Sequence, residues 1–382
     1  MRFRIPFDRV NWLNTIFLFF ISALAVIAAP IYLFKFGMDW FMGGLFLFYV
    51  IATGLSITLG YHRLFSHLSF KAKWPVRLAT LVFGACAFEN SVLCWASDHR
   101  RHHKHTDHDD DPYDISKGFF WAHIGWILFK VDPEPPLDNV ADLRKDKLVM
   151  WQARWDKWVA MIVGLFLPAA LCFWWTGSWV GALGGFLVVG ALRVFVVQQS
   201  TFFINSLCHT LGRQPYSTRC SAKVSTLMAF LTFGEGYHNY HHAMANDYRN
   251  GIRWYHFDPT KWLIWTCSKI GITSDLKRVH KVRLQKLLVR KDKDLLLERF
   301  KTEIDEKTIE LKKRAEELAH TFEDKASEVL RKVRELKDAT DAKRAELKRE
   351  IRELKRELRI HWKEWIELTQ YVVRNYQLSH AH

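Results

Sequence analysis

WVAMIVGLFLPAALCFWWTGSWVGALGGFLVVGAL, residues 158–192, runs for 35 residues without a charged side chain. A spanning helix needs about 20 apolar residues. The run is therefore too long for one crossing and suits two, with Thr176-Gly177-Ser178 as the turn of a helical hairpin. Arg193 interrupts it once, and Val194–Cys208 continues uncharged. Upstream, Val10–Phe34 and Trp40–Tyr61 are also free of charge. The first is too long for the apolar region of a signal peptide, and the second span follows it closely. These runs predict four spans, at roughly 12–34, 40–60, 158–175 and 179–203, with Trp and Tyr at several ends as an interface favours. The eleven-residue run Leu78–Phe88 is too short to cross and reads as an interfacial or partly buried helix. The expected class is an all-α integral membrane protein.

Average composition hides this. The chain is 49% hydrophobic with a mean hydropathy of −0.10, which by itself suits a soluble protein. Its 55 basic and 40 acidic residues give a net charge of +15. Residues 301–360 carry 18 basic and 16 acidic side chains, so the excess belongs to the rest of the chain. Such an excess suits anionic lipid headgroups or an anionic substrate. No nucleic-acid motif accompanies it, so nucleic acid is not an expected partner. The six cysteines form no C-x-x-C pair, which argues against an iron–sulfur cluster or zinc ribbon.

Nine of the 18 histidines fall in four groups at the ends of apolar segments. They are His62 and His67 in HRLFSH, His99, His102 and His103 in HRRHH, His209 in NSLCH, and His238, His241 and His242 in HNYHH. Neutral imidazole is a ligand for iron, zinc, copper and nickel. One zinc takes about four protein ligands, so nine suit two ions. Each triplet has i, i+3, i+4 spacing and shares a helix face. One triplet alone reads as ordinary surface helix; two triplets with two further groups do not. His62 and His67 would lie about 140° apart on a continuous α-helix, so they need a break in it or serve different metals. Glu89, Asp98, Asp107 and Glu235 are candidate acceptors behind the rings. The stretch HTDHDDD, residues 105–111, reads as a solvated loop.

Arg2, Arg4 and Arg9 put the N-terminus in the cytosol by the positive-inside rule. An even number of spans precedes each histidine group, so all nine reach one face, the cytosolic one. A helical cap on that face would hold the two metals.

The arrangement HRLFSH … DHRRHHKHTD … NSLCH … GEGYHNYHH resembles the membrane fatty acyl desaturases, most closely the stearoyl-CoA (Δ9) type. The resemblance covers about residues 10–280 and includes KGFFWAHIGW at 117–126 and RWYHFDPTKW at 253–262. The histidine groups alone also admit membrane hydroxylases; NSLCH narrows the choice. The resemblance implies two iron ions on the nine histidines, with Asn205 touching one through water. It implies an O₂-dependent reaction that places a cis double bond in a saturated acyl chain held in a bent tunnel. Asn90, Trp95 and Phe202 fall at tunnel positions, and Phe46, Tyr49 and Val50 are candidates for setting chain length. Arg193, inside the fourth span, is expected to face the bundle or the substrate side. The family pattern has an arginine at Ser97 and a basic pair at Lys130-Val131, both contacting the carrier headgroup. This chain matches only at Lys130, so acyl-CoA is the expected substrate with a phospholipid-linked chain as the alternative. No H-P-G-G or ferredoxin cysteine pattern is present, so a separate cytochrome b5-like or ferredoxin-like electron donor is expected. The membrane would be a bacterial inner membrane or the endoplasmic reticulum.

Beyond about residue 285 the chain changes character, so two domains are expected, 1–285 and 286–382. Leu311, Ala315, Leu318, Phe322, Ala326, Val329, Val333 and Leu336 step by four and three, and the stripe resumes at Leu347, Ile351, Leu354 and Leu358. No Gly or Pro occurs from 301 to 382, so one long charged helix can run through. Its stripe suits a coiled-coil partner or self-association, or a solvated amphipathic helix lying on the first domain or on the membrane, with Trp362 and Trp365 as lipid anchors.

Overall fold

The computed structural model describes residues 7–130, 136–301 and 305–376. Its chain divides into two compact units, residues 1–212 with 220–278, and residues 213–219 with 279–382.

The larger unit runs through α1 (Trp12–Phe36), α2 (Trp40–Ser66), α3 (Trp74–Ala85), α4 (Val92–His105), α5 (Lys147–Thr176) and α6 (Trp179–Thr210). Three short helices follow, α7 (Thr226–Leu231), α8 (His238–Ala243) and α9 (Pro259–Lys269). Helices α1, α2, α5 and α6 are long and apolar enough to cross a membrane. Their outer faces leave Phe34, Trp174 and Trp179 exposed, as a lipid-facing surface would. Polar caps set their starts: Asn11, Asp39, Asp146 and Ser178 each accept a backbone N–H of the first turn. Gly177, at φ 64, ends α5, and the chain turns straight into α6. There α6 lies so close to α5 that a Cβ on Gly185 would sit 2.5 Å from the Pro168 carbonyl oxygen. Small residues permit such approach where lipid offers no hydrophobic drive.

Arg193 sits within α6 and is fully buried. It donates to the carbonyls of Val189, Cys86 and Gly164, at 3.2, 2.5 and 2.6 Å, and its guanidinium lies 5.5 Å from the Tyr49 ring. One cation thus ties α6 to α5 and to the end of α3. It faces the bundle, and satisfied carbonyls offset the cost of placing it there.

A second local feature shapes the site. Ser56–Ser66, the last eleven residues of α2, are π-helical. The His67 N–H donates to the His62 carbonyl at 3.1 Å. Bonds from i to i+5 stack residues five apart on one face, so the pair that an α-helix would separate is brought together. Beyond it, Lys71–Ala72 pairs antiparallel with Thr273–Ser274, tying the exit of α2 to the segment after α9.

The second unit contains α10 (Lys281–Arg299), α11 (Glu306–Asp338) and α12 (Asp341–Asn375). The expected single helix is broken: Ala339 and Thr340 are extended, at ψ 143 and 159. Folding the apolar stripe back on itself buries it, which a lone helix in water cannot do. Phe322, Ala326 and Val329 of α11 meet Leu358, Trp365 and Leu368 of α12, with Val289 and Leu296 from α10. Trp365 is 0% exposed, so it is a core residue and not a lipid anchor. Lys332–Glu350 at 2.8 Å, with Lys325–Glu357, links α11 to α12 along the rim.

Candidate metal centre

The nine histidines gather at one end of the spanning bundle, in two groups whose ligand nitrogens lie within 4.8 Å of one another. His62, His67, His99, His103 and His241 form one, and His102, His209, His238 and His242 the other. Each triplet is divided. On α4 the i, i+4 pair His99 and His103 serves the first group and His102 the second; on α8 the pair His238 and His242 serves the second and His241 the first. Two helices therefore span both groups, while α2 supplies only the first and α6 only the second.

The inward atoms are Nε2. They approach at 2.9 Å between His62 and His241, 2.8 Å between His67 and His99, 2.9 Å between His241 and His103, and 3.1 Å between His238 and both His209 and His242. Two metal–nitrogen bonds of about 2.1 Å at right angles put their nitrogens roughly 3.0 Å apart. The spacing is thus that of neighbouring ligands around a common point, and the donor set fits two divalent ions. Burial, then repulsion from neighbouring imidazoles, holds His67, His99, His103, His238, His241 and His242 well below the usual imidazole range. Neutral rings are the ligand form.

Three of the outward nitrogens lie against acceptors. His62 Nδ1 lies 2.9 Å from Glu235 Oε2, and His102 Nδ1 lies 2.8 Å from Asp111 Oδ1. His209 Nδ1 meets Ser221 Oγ at 2.7 Å, and Asp107 accepts from the Ser221 N–H at 2.6 Å and from its hydroxyl. Such partners fix ring orientation and tautomer. Burial would raise Glu235, but His62 and Arg63 outweigh it and keep the carboxyl below its ordinary range. Arg63, 1% exposed, bridges Glu235 at 2.9 Å and Asp258 at 3.0 Å, and Asn250 donates to Glu235 at 2.6 Å. Every charge in this buried network has a partner.

Of the sequence candidates, Glu235 and Asp107 stand behind the histidines. Glu89 does not: it accepts from Trp95 Nε1 at 3.2 Å. Asp111 corrects the reading of HTDHDDD as a solvated loop, because it is 2% exposed and orients His102. Ser221, Arg63 and Asp258 were missed. Only the adjacency of Arg63 to His62 could have hinted at one of them.

Two cavities meet at the histidines. The first is rimmed by Asn14, Phe17 and Asn90 and reaches Trp95, His99 and Asn205; the second adds Ile57, Thr58 and His238. They share Trp95, His99, Thr201 and Asn205. Asn90, Trp95 and Phe202 all line the first cavity, and Asn205 stands one helical turn before His209. Other substrate candidates lie elsewhere. Tyr49 donates its hydroxyl to the Val163 carbonyl at 2.9 Å, and Phe46 packs into the same membrane core. Val50 lines neither cavity; Ile57 and Thr58, further along α2, line the second. Arg193 is engaged by carbonyls, and exposed Lys130 lies off both cavities. Ser97 is buried and donates to Asn139 at 2.7 Å; Val131 lies outside the described residues.

A fatty acid desaturase family model matches residues 38–273. Acyl-CoA desaturase 1 of Saccharomyces cerevisiae is 35% identical over 295 residues, covering 75% of this chain and 55% of the yeast protein. A probable acyl-CoA desaturase of Schizosaccharomyces pombe is 40% identical over 258 residues, covering 67% of this chain and 53% of its own. Human stearoyl-CoA desaturase is 34% identical over 250 residues, 64% of this chain and 68% of the human one. The chain thus spans about half the length of the two yeast relatives.

Proposed function

We propose, from the premise that this chain belongs to the fatty acid desaturase family, that it is an O₂-dependent membrane enzyme that places a cis double bond, at Δ9, in a saturated acyl chain carried by CoA. The observation that carries this reading is two groups of largely buried imidazoles beside two adjoining cavities, one lined by Asn90 and the other by Ile57 and Thr58, that share Trp95, His99, Thr201 and Asn205. The nine histidines would hold two iron ions, with Asn205 reaching one through water. When bound, the ions would supply the oxidising power, drawn from O₂, that an unactivated C–H bond demands.

The chain's own part is placement. Trp95 and Thr201, common to both cavities, would hold two adjacent methylenes opposite the histidines. Positioning then decides which carbons react. Phe17 and Phe88, stacked at 5.1 Å, help keep the cavity poor in water. Glu235, Asp111 and Ser221 fix the rings. Removal of two hydrogens with reduction of O₂ to two waters needs two electrons and two protons, so a separate reductant, cytochrome b5-like or ferredoxin-like, is part of the proposal. The metal end of the bundle would face the cytosol.

CoA as carrier is supported by the relatives, which are named acyl-CoA and stearoyl-CoA desaturases. The test is expression in a desaturase-deficient host, with mapping of double-bond position and chain length in cellular lipid. A new cis bond is expected. A hydroxylated chain without one would make the protein a hydroxylase on the same centre, and a product confined to intact phospholipid would replace CoA as carrier.

A further inference from the structure

The turn between α3 and α4 holds two non-glycine residues in the left-handed region, Phe88 at φ 57 and Asn90 at φ 68, with Glu89 between them. Such backbone is costly and persists only where its surroundings impose it. Three side chains do so here. Arg193 donates to the Cys86 carbonyl at 2.5 Å, Gln198 donates to the carbonyls of Ala87 and Phe88 at 3.1 Å each, and Gln152 accepts from the Val92 N–H at 3.0 Å.

The strained turn puts the Glu89 side chain on the wall of the first cavity. One oxygen, Oε2, accepts from Trp95 Nε1 at 3.2 Å, and Trp95 stacks on His99 with centroids 4.9 Å apart. The other, Oε1, is buried and makes no hydrogen bond of good geometry. The Thr201 hydroxyl from α6 lies against the carboxyl. The ionisable groups that face this region are His99 of α4, Tyr113 of the following loop, and Tyr61 of α2, edge-on to Trp95 at 6.0 Å. Among the described residues no cation pairs with Glu89.

We propose that Glu89 is a specificity-determining residue of this cavity: as a neutral carboxylic acid it lets an uncharged apolar chain lie past Trp95, and as a carboxylate it turns such a chain away. This rests on the acyl-chain reading above. An unpaired carboxylate keeps its water, and an acyl chain entering the cavity would have to strip it. Burial pushes the Glu89 carboxyl up to about 8. The neutral form therefore prevails below that pH and is lost as pH rises through it, and chain and proton bind together.

The test uses the full-length protein in lipid nanodiscs and measures equilibrium binding of radiolabelled stearoyl-CoA from about pH 6.5 to 9.5. Wild-type affinity should be flat to about pH 8 and then fall by up to roughly tenfold per pH unit. Glu89→Gln, which still offers Trp95 an acceptor but cannot ionise, should bind with no such fall. Glu89→Met is a second non-ionisable variant read the same way. The same alkaline fall in wild type and both variants, or a flat wild type, overturns the proposal. A metal-loaded protein that binds no acyl ligand at any pH defeats the acyl-chain reading itself, and this proposal with it.

Discussion

The histidine centre and the C-terminal unit use the same helical spacing to opposite ends. In α4 and α8, side chains at i, i+3 and i+4 are buried or half-buried imidazoles whose partners come from other helices. In α11 and α12 the same spacing carries an apolar stripe, and its partners are the helices next along the chain. The first arrangement concentrates its chemistry in a few nitrogens and fails when one is lost. The second spreads its stability over many contacts and loses it in increments.

That contrast sets the scale of what substitutions should do. The largest effect is expected at His102 or His241, each a member of a shared triplet. Replacement by Ala should lower bound metal and cut unsaturated product by more than about 100-fold, read by metal content and lipid analysis of the inserted protein. Full product from either variant would remove the metal centre from the function. Next comes Asp111→Asn, which keeps the shape and removes the charge behind His102. Its expected cost is roughly 10–100-fold in metal affinity or product. An effect no larger than that of an exposed neighbour such as Asp109→Asn would show that orientation of His102 does not matter.

The smallest effect on chemistry is expected in the second unit. Trp365→Ala should cost that unit about 3–5 kcal/mol, visible as a lowered thermal transition of its helices. Product per inserted molecule should stay within about twofold. A fall in bound metal together with the melting temperature would instead couple the two regions.

Much of the site was legible because its signals are local. The spans follow from runs of uncharged residues, and the turn at Gly177 follows from Thr176-Gly177-Ser178 inside a run too long for one span. The ligand set follows from histidine spacing at the ends of those runs. What was not legible depends on packing that no short sequence pattern spells out. Nothing in HRLFSH says that α2 turns π-helical and stacks His62 over His67. Nothing in HTDHDDD separates Asp111, buried behind His102, from Asp109 and Asp110, which stay exposed. The break at Ala339–Thr340 carries no glycine or proline to announce it. Arg193 reads as a charge needing a partner, and only packing shows that the partners are three carbonyls.

By itself, then, the sequence determined an all-α membrane protein with nine histidines at one face, because apolar run length and helical periodicity are properties of neighbouring residues. The tertiary structure alone decided how those nine divide into five and four, which carboxylates stand behind them, and where Glu89 points. The reason is physical: an imidazole's metal group and a carboxylate's charge state depend on which atoms surround them, and only folding brings those atoms, from several separate elements, to one place.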